Sequence, residues 1–151
     1  MQLAFWKSPN IWIRTKDGDS CAKAIFDRHY SKYHYKDGRD PALFAGPGEK
    51  LVLVLVDYSA LFVWRKFQSD DGQNGINCSV FRNESEVLSS WLIREAEEWA
   101  WHKWPGERLY TYIAPKKIKS TNPGYCYLKA GWNKCGITKV HKHIIMEKLP
   151  L

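Results

Sequence analysis

Ile76-Asn77-Cys78-Ser79-Val80-Phe81-Arg82-Asn83-Glu84-Ser85-Glu86-Val87 runs straight into a segment ending at Lys103, and this junction decides how the chain folds. Its first half, Ile76 to Phe81, reads as a strand. From Ser85 to Lys103 the apolar residues Leu88, Leu92, Ala96, Trp99 and Ala100 recur at intervals of three and four. Arg94, Glu95, Glu97 and Glu98 occupy the remaining positions, which is the pattern of an amphipathic helix. Pro105-Gly106 stops it, and Leu109 to Ile113 reads as the next strand. Strand, loop, helix and strand in that order fit an α/β pattern around a mixed sheet.

Upstream, Leu51-Val52-Leu53-Val54-Leu55-Val56 is too uniformly apolar for a strand with one wet face and suggests a central strand buried on both sides. Ala60 to Phe67 follows as its hairpin partner across Asp57-Tyr58-Ser59, and Ser69 to Gly75 is a polar loop. Ile11 to Arg14 reads as a short strand closed by Asp17-Gly18-Asp19. Ser20 can then cap a helix over residues 20 to 33, with Ala22, Ile25, Phe26 and His29 or Tyr30 on one face. Residues 34 to 49, rich in Gly, Pro, Asp and Lys, form a long loop of the kind that often contacts substrate. Downstream, Asn122-Pro123 starts a short helix that Gly131 ends, and strands follow over 132–138 and 143–147. The expected fold class is α/β in element order, more strictly α+β: one central mixed β-sheet flanked by helices, in a single domain over residues 1–151.

A chain of 151 residues can bury a core without disulfides or metals, and 44% hydrophobic with 26% charged residues is a globular balance. Aromatics reach 15%, with eight Trp and eight Tyr, side chains that serve as core volume or as flat surfaces for bases and cofactors. The formal charge of +7 favours a polyanionic partner, whether nucleic acid or a phosphate-rich cofactor. Cys21, Cys78, Cys126 and Cys135 are irregularly spaced and read as reduced thiols with no zinc motif. Met1 to Asn10 lacks a signal-peptide pattern, and Leu51 to Trp64 is too short and too interrupted to span a bilayer. The expectation is a soluble, cytoplasmic protein without a membrane partner.

The order of elements resembles the GNAT N-acetyltransferase family, over about residues 50 to 148. That resemblance implies that the segment from Ile76 to Lys103 holds the pyrophosphate of acetyl-CoA or a related acyl-CoA. It implies that Leu109 to Ile113 splays from its neighbour to admit the pantetheine arm. Asn122-Pro123-Gly124-Tyr125-Cys126-Tyr127-Leu128-Lys129-Ala130-Gly131-Trp132 is similar to the family's short helix, with Tyr127 in the place of the acid that protonates the departing thiolate. Read from the residues alone, Tyr127 fits packed core and Gly131 a helix terminator just as well. The family's loop of Arg or Gln, two residues, Gly, one residue, Gly or Ala is replaced here by Arg82-Asn83-Glu84-Ser85-Glu86-Val87. Both small positions are lost, and Glu84 and Glu86 would fall near the phosphates, where acidic residues also serve simply to complement the helix dipole.

A second resemblance is to phage Mom-type DNA-modification proteins, a divergent GNAT-like group that modifies adenine. It rests on His29-Tyr30, on Arg82-Asn83 followed by Ser85 and Ser89, and on the late glycine-tyrosine helix. It implies that His29, Tyr30 and Arg82 lie near a catalytic cleft. Together the resemblances imply transfer of an acyl or acyl-like group from a CoA-type donor. Arg82, Asn83, Ser85 and Asn122 would hold that donor, Tyr127, His29 and Tyr30 would be catalytic, and DNA would be the acceptor. The alternatives are a small amine or protein amino group as acceptor, or a non-catalytic basic DNA-binding module on the same scaffold.

Other clusters admit two readings. His29-Tyr30-Ser31 fits a proton-transfer group or the wet end of a helix. Basic and aromatic residues interleave from Arg28 to Lys36, as on surfaces that grip flipped bases and equally on a solvated helix end. Lys116, Lys117 and Lys119, beside Ser120 and Thr121, fit a phosphate contact or a solvated loop. His141 and His143 lack the carboxylates or thiolates of a metal site, so none is expected. There is no Walker loop or dinucleotide fingerprint, and spacing alone argues for no hydrolase triad.

Overall fold

The computed structural model describes residues 9–30, 32–117 and 122–150. Seven strands form one mixed sheet: β1 (Ile13–Thr15), β2 (Glu49–Val54), β3 (Ala60–Lys66), β4 (Ile76–Asn83), β5 (Leu109–Ile113), β6 (Asn133–Ile137) and β7 (Ile144–Lys148). Their spatial order is β1-β2-β3-β4-β5-β7-β6. Three α-helices accompany them: α1 (Ser20–Phe26), α2 (Ser89–Lys103) and α3 (Tyr125–Lys129). The expected α+β class and mixed sheet are what the chain forms. All neighbouring strands run antiparallel except β4 and β5, which α2 joins as a parallel pair.

The Leu-Val alternation of β2 divides the interior. Leu51, Leu53 and Leu55 pack with Trp12, Phe62, Trp64 and the inner face of α2, whereas Val52 and Val54 pack with Ala22 and Ile25 of α1 and with Leu61, Val63 and Val80. Adjacent strand residues point to opposite faces, so a run apolar at every position is buried twice. Val56, past the end of the strand, is 79% exposed. Tryptophans fasten α2 to the sheet: Trp12 and Trp64 donate their indole N–H to the carbonyls of Leu92 and Ala96, one turn apart on α2.

Several expected boundaries move, each for a local reason. Asp19, not Ser20, caps α1, because its carboxylate accepts the N–H groups of Cys21 and Ala22. The helix ends at Phe26 rather than near residue 33. There the hydrogen bonds tighten to Arg28 N–H on Ile25 O and His29 N–H on Phe26 O, and Lys23 and Lys32 grip the Asp27 carboxylate. Helix α2 begins at Ser89, not Ser85. Asn83 accepts the Ser85 N–H and donates to Val87 O and Ser89 Oγ, and Ser85 Oγ takes the Val87 N–H. These side chains satisfy the backbone in a non-helical loop and so compete with an earlier helical turn. Leu88 is consequently 74% exposed. Glu97, which the periodicity places on the polar face, is only 4% exposed and binds Lys148 Nζ and the Trp132 indole, both at 2.7 Å.

Two irregularities fall on β4. On its β3 side, Val63 pairs with Val80 but Trp64 with Cys78, leaving Ser79 as an extra, bulged residue. On its β5 side, pairing stops after Ile76–Leu109, Asn77–Tyr110 and Cys78–Thr111, although both strands continue. The last contact there is Thr111 Oγ1 donating to Cys78 O at 2.8 Å.

Candidate functional site

A cleft of about 390 Å³ occupies the place where β4 and β5 cease to pair. It draws together residues that are far apart in sequence: His29 and Tyr30, Cys78 and Asn83 of β4, Ser89, Thr111 and Tyr112, and Asn122 with Tyr127. Five of the sequence-derived candidates, His29, Tyr30, Asn83, Asn122 and Tyr127, therefore line one cavity. Arg82 and Ser85 are not among its lining residues. Ser31, Lys119, Ser120 and Thr121 lie outside the described residues.

Tyr127 projects from α3, a one-turn helix that starts after Gly124 and stops where Gly131 takes a φ of +94°, a conformation that costs glycine nothing. Its ring is 5% exposed and meets Phe81 and Trp132 edge-on. Its hydroxyl lies 3.4 Å from Cys78 Sγ. Burial, with the nearby thiols adding to it, raises its pKa well above that of an ordinary phenol. It is thus packed in the core, one of the two sequence readings, and it also lines the cleft.

Cys78, which the sequence did not single out, forms the floor beside Tyr127. Burial pushes its thiol up to about 12, so it stays protonated at neutral pH and is no nucleophile. Tyr30 stacks on His29 at 4.4 Å. Its ring is partly exposed, while its hydroxyl end makes a backbone hydrogen bond to Ala114 and is held protonated chiefly by burial, with Cys78 and Cys126 adding to it. His29 is 8% exposed, and burial, reinforced by the Arg82 charge, pushes its pKa down to about 4. At pH 7 it is a neutral imidazole and a weak base.

The rim at the β4–α2 junction is internally wired. Arg28 holds Glu84 through two bonds of 2.6 and 2.7 Å, and Arg82 Nε adds a third at 2.6 Å. The two arginines, Arg28 first, hold the Glu84 carboxyl down at about 2. Glu84 and Glu86 precede α2, whose first turn carries no acidic residue and whose cap, Leu88, offers no side-chain acceptor. The first turn of α2 thus presents the positive end of its dipole beside Ser89 at the cleft with no acidic residue or side-chain cap of its own.

A second cleft, about 280 Å³, lies on the α1 side of β4 between the loop over residues 32–46 and strands β3 and β4. Ser79, the bulged residue, lines both cavities. Asp17 fixes that loop by accepting the N–H groups of Phe44 and Ala45. Sequence reasoning marked the loop for substrate contact but had no signal for Arg65 or Ser79, which reach it only through strand pairing.

His141 and His143 stack at 5.5 Å. Among the described residues no cluster of three or more His, Cys, Asp or Glu could hold a metal ion, and no helix is long and apolar enough to cross a membrane. In comparisons with protein-family models, curated proteins and solved structures, nothing matches the chain.

Proposed function

We propose that the protein is a GNAT-like transferase that moves an acyl group from a CoA-type donor to an amine. The observation that carries this reading is the parallel β4–β5 pair that stops pairing after Cys78–Thr111 and opens into a cleft flanked by the N-terminus of α2 and by Tyr127. A volume of about 390 Å³ lies within the range of small-molecule sites, roughly 300 to 1,000 Å³. The positive end of the α2 dipole suits a pyrophosphate, and the apolar floor suits a thioester arm. A bound acyl-CoA would supply an activated carbonyl whose bond to sulfur breaks as the amine nitrogen bonds to carbon.

Tyr127 Oη would hold the proton that the departing sulfur takes. Its raised pKa keeps that proton in place at neutral pH, and a thiolate in the same dry cleft is raised too, as the Cys78 thiol is. His29 is too weak a base to take the amine's proton, which would pass to water as Tyr127 regains a proton from water; His29 serves by stacking on Tyr30 and packing that ring at the cleft mouth. Asn83 and Ser85 shape the junction through their own bonds rather than through glycines, and Arg28 with Arg82 outweighs Glu84 by one positive charge.

DNA is the acceptor that the +7 charge and the Mom-type resemblance favour. The second cleft supports a two-substrate reading, since both cavities meet at Ser79. Calorimetry with acetyl-CoA, paired with acyl-transfer assays on adenine-containing DNA and on small amines, tests the proposal. Saturable donor binding with transfer to either acceptor supports it. DNA binding without donor binding would leave a basic DNA-binding module and sink the transferase.

A further inference from the structure

Two of the three residues that carry a buried, unpartnered side-chain polar atom among the described residues line the cleft on the α1 side of β4. Arg65 extends from β3 with its guanidinium 4.4 Å over the Phe67 ring, and its Nη1 lies against Gly46, where a Cβ would have to displace it. No carboxylate among the described residues lies within ion-pair distance of it, and its Nε is buried without a hydrogen-bond partner. Burial lowers its pKa against a smaller opposing pull from Tyr110 and from the Asp70 carboxylate, which lies beyond ion-pair distance. Ser79 Oγ, on the β4 bulge, is likewise buried without a partner and lines the same cavity. The third such atom among the described residues, Tyr110 Oη, belongs to the cross-strand row Arg65, Asn77, Tyr110.

Around these donors the lining is flat and apolar. Phe26 and Phe44 stack at 5.4 Å, and Tyr33, Tyr35 and Leu43 complete the wall. The other charges there are already spent, for Lys32 pairs with Asp40. A half-buried guanidinium without a contacting counter-charge is costly, because burial strips water from it and its Nε gains no hydrogen bond in return. An arginine is also the side chain whose planar fork best matches a carboxylate or phosphate.

We propose that this cleft binds an anionic oxygen group, carboxylate or phosphate, attached to a flat or apolar body. Arg65 and Ser79 hold the charge and the aromatic wall holds the body. Identifying that ligand as the acceptor rests on the transferase reading, because Ser79 carries it to the donor cleft; the anion site itself does not.

The test titrates the full chain with two matched pairs, deoxyadenylate against deoxyadenosine and phenylacetate against phenylethanol, following the Arg65 Nε–Hε signal by NMR. At least one acid is expected to bind ~10-fold or more tightly than its neutral partner, the usual gain from a charge-assisted pair, and to shift that signal. Arg65→Gln abolishes the preference, Arg65→Lys keeps part of it, and Ser79→Ala weakens the acid several-fold. Preference in the phosphate arm names a nucleotide ligand; preference in the carboxylate arm names a small organic acid. The proposal falls if neither acid outbinds its partner, or if Arg65→Gln keeps the preference. Should Arg65→Gln fail to fold, the Nε–Hε shift and Ser79→Ala decide the matter alone. An acetyl-CoA titration of the same samples separates the two readings. Donor binding without anion preference overturns this inference only, whereas anion preference without donor binding overturns the transferase and leaves the anion site.

Discussion

The two clefts that meet at Ser79 are wired in opposite ways. On the α2 side the polar groups are engaged within the protein: Tyr127 with Cys78, Asn83 with Ser85, Val87 and Ser89, and Glu84 with Arg28 and Arg82. On the α1 side, Arg65 Nε and Ser79 Oγ have nothing. A satisfied cavity is preorganised, with its donors and dipoles fixed before anything enters. An unsatisfied one stores a desolvation cost that the right ligand relieves. One sheet thus holds a satisfied cleft and an unsatisfied one, both lined by the same bulged residue.

The largest test of this contrast is Tyr127→Phe. If the hydroxyl is the acid, turnover falls by roughly 10² to 10⁴ with donor affinity nearly intact. Unfolding costs only about 1 kcal/mol less, because the lost partner is a thiol. Equal turnover in the mutant makes Tyr127 a packing residue.

Next in size is the acid sensitivity of His29. The folded protein holds it neutral down to about pH 4, while the unfolded chain takes a proton below about 6.5. More protons bind to the unfolded state in that window, so stability is full above it and declines as pH falls from 6.5 toward 4. The loss is limited to ~3 kcal/mol, at about 1.36 kcal/mol for each pH unit that separates the folded and unfolded values. Urea melts across the window should show this slope in the wild type and lack it in His29→Gln. A parallel slope in both would place the titration elsewhere.

Smaller still is the effect of Asn83→Ala. It strips the junction of bonds to Val87 O, Ser89 Oγ and the Ser85 N–H, and should cost ~1 to 2 kcal/mol of stability. Amide exchange should quicken over residues 84–88 and not in β4. Unchanged exchange would mean that the loop's shape does not depend on Asn83.

Much of the fold was legible because periodicity survives in the sequence. Alternating Leu and Val in β2 announced burial on two faces, and the stretch from Ile76 to Ile113 announced its strand, helix and strand, though not their parallel pairing. Local competition was not legible: nothing in Ser85-Glu86-Val87 reveals that Asn83 delays α2 to Ser89, or that Asp19 outbids Ser20 as a cap. Five of the seven site candidates reached the cleft: Asn83 ends β4, His29 and Tyr30 follow α1, Asn122 precedes α3 and Tyr127 lies within that one-turn helix. Glu84 looked like an obstacle to phosphate because its partner Arg28 stands 56 positions upstream. Of the Arg65–Ser79 cleft only the loop wall was marked in the sequence; Arg65 and Ser79 were not, since strand pairing and a bulge bring them there.

The central claim is that an anionic donor docks at the start of α2, and Ser89→Asp probes it most directly. An aspartate in the first turn complements the helix dipole, worth ~0.3 to 1 kcal/mol, so thermal stability should hold or rise. The same charge repels a pyrophosphate, so calorimetry should find acetyl-CoA affinity reduced ~10-fold or more. An equally stable Ser89→Asp protein that binds acetyl-CoA as tightly as the wild type would contradict the account.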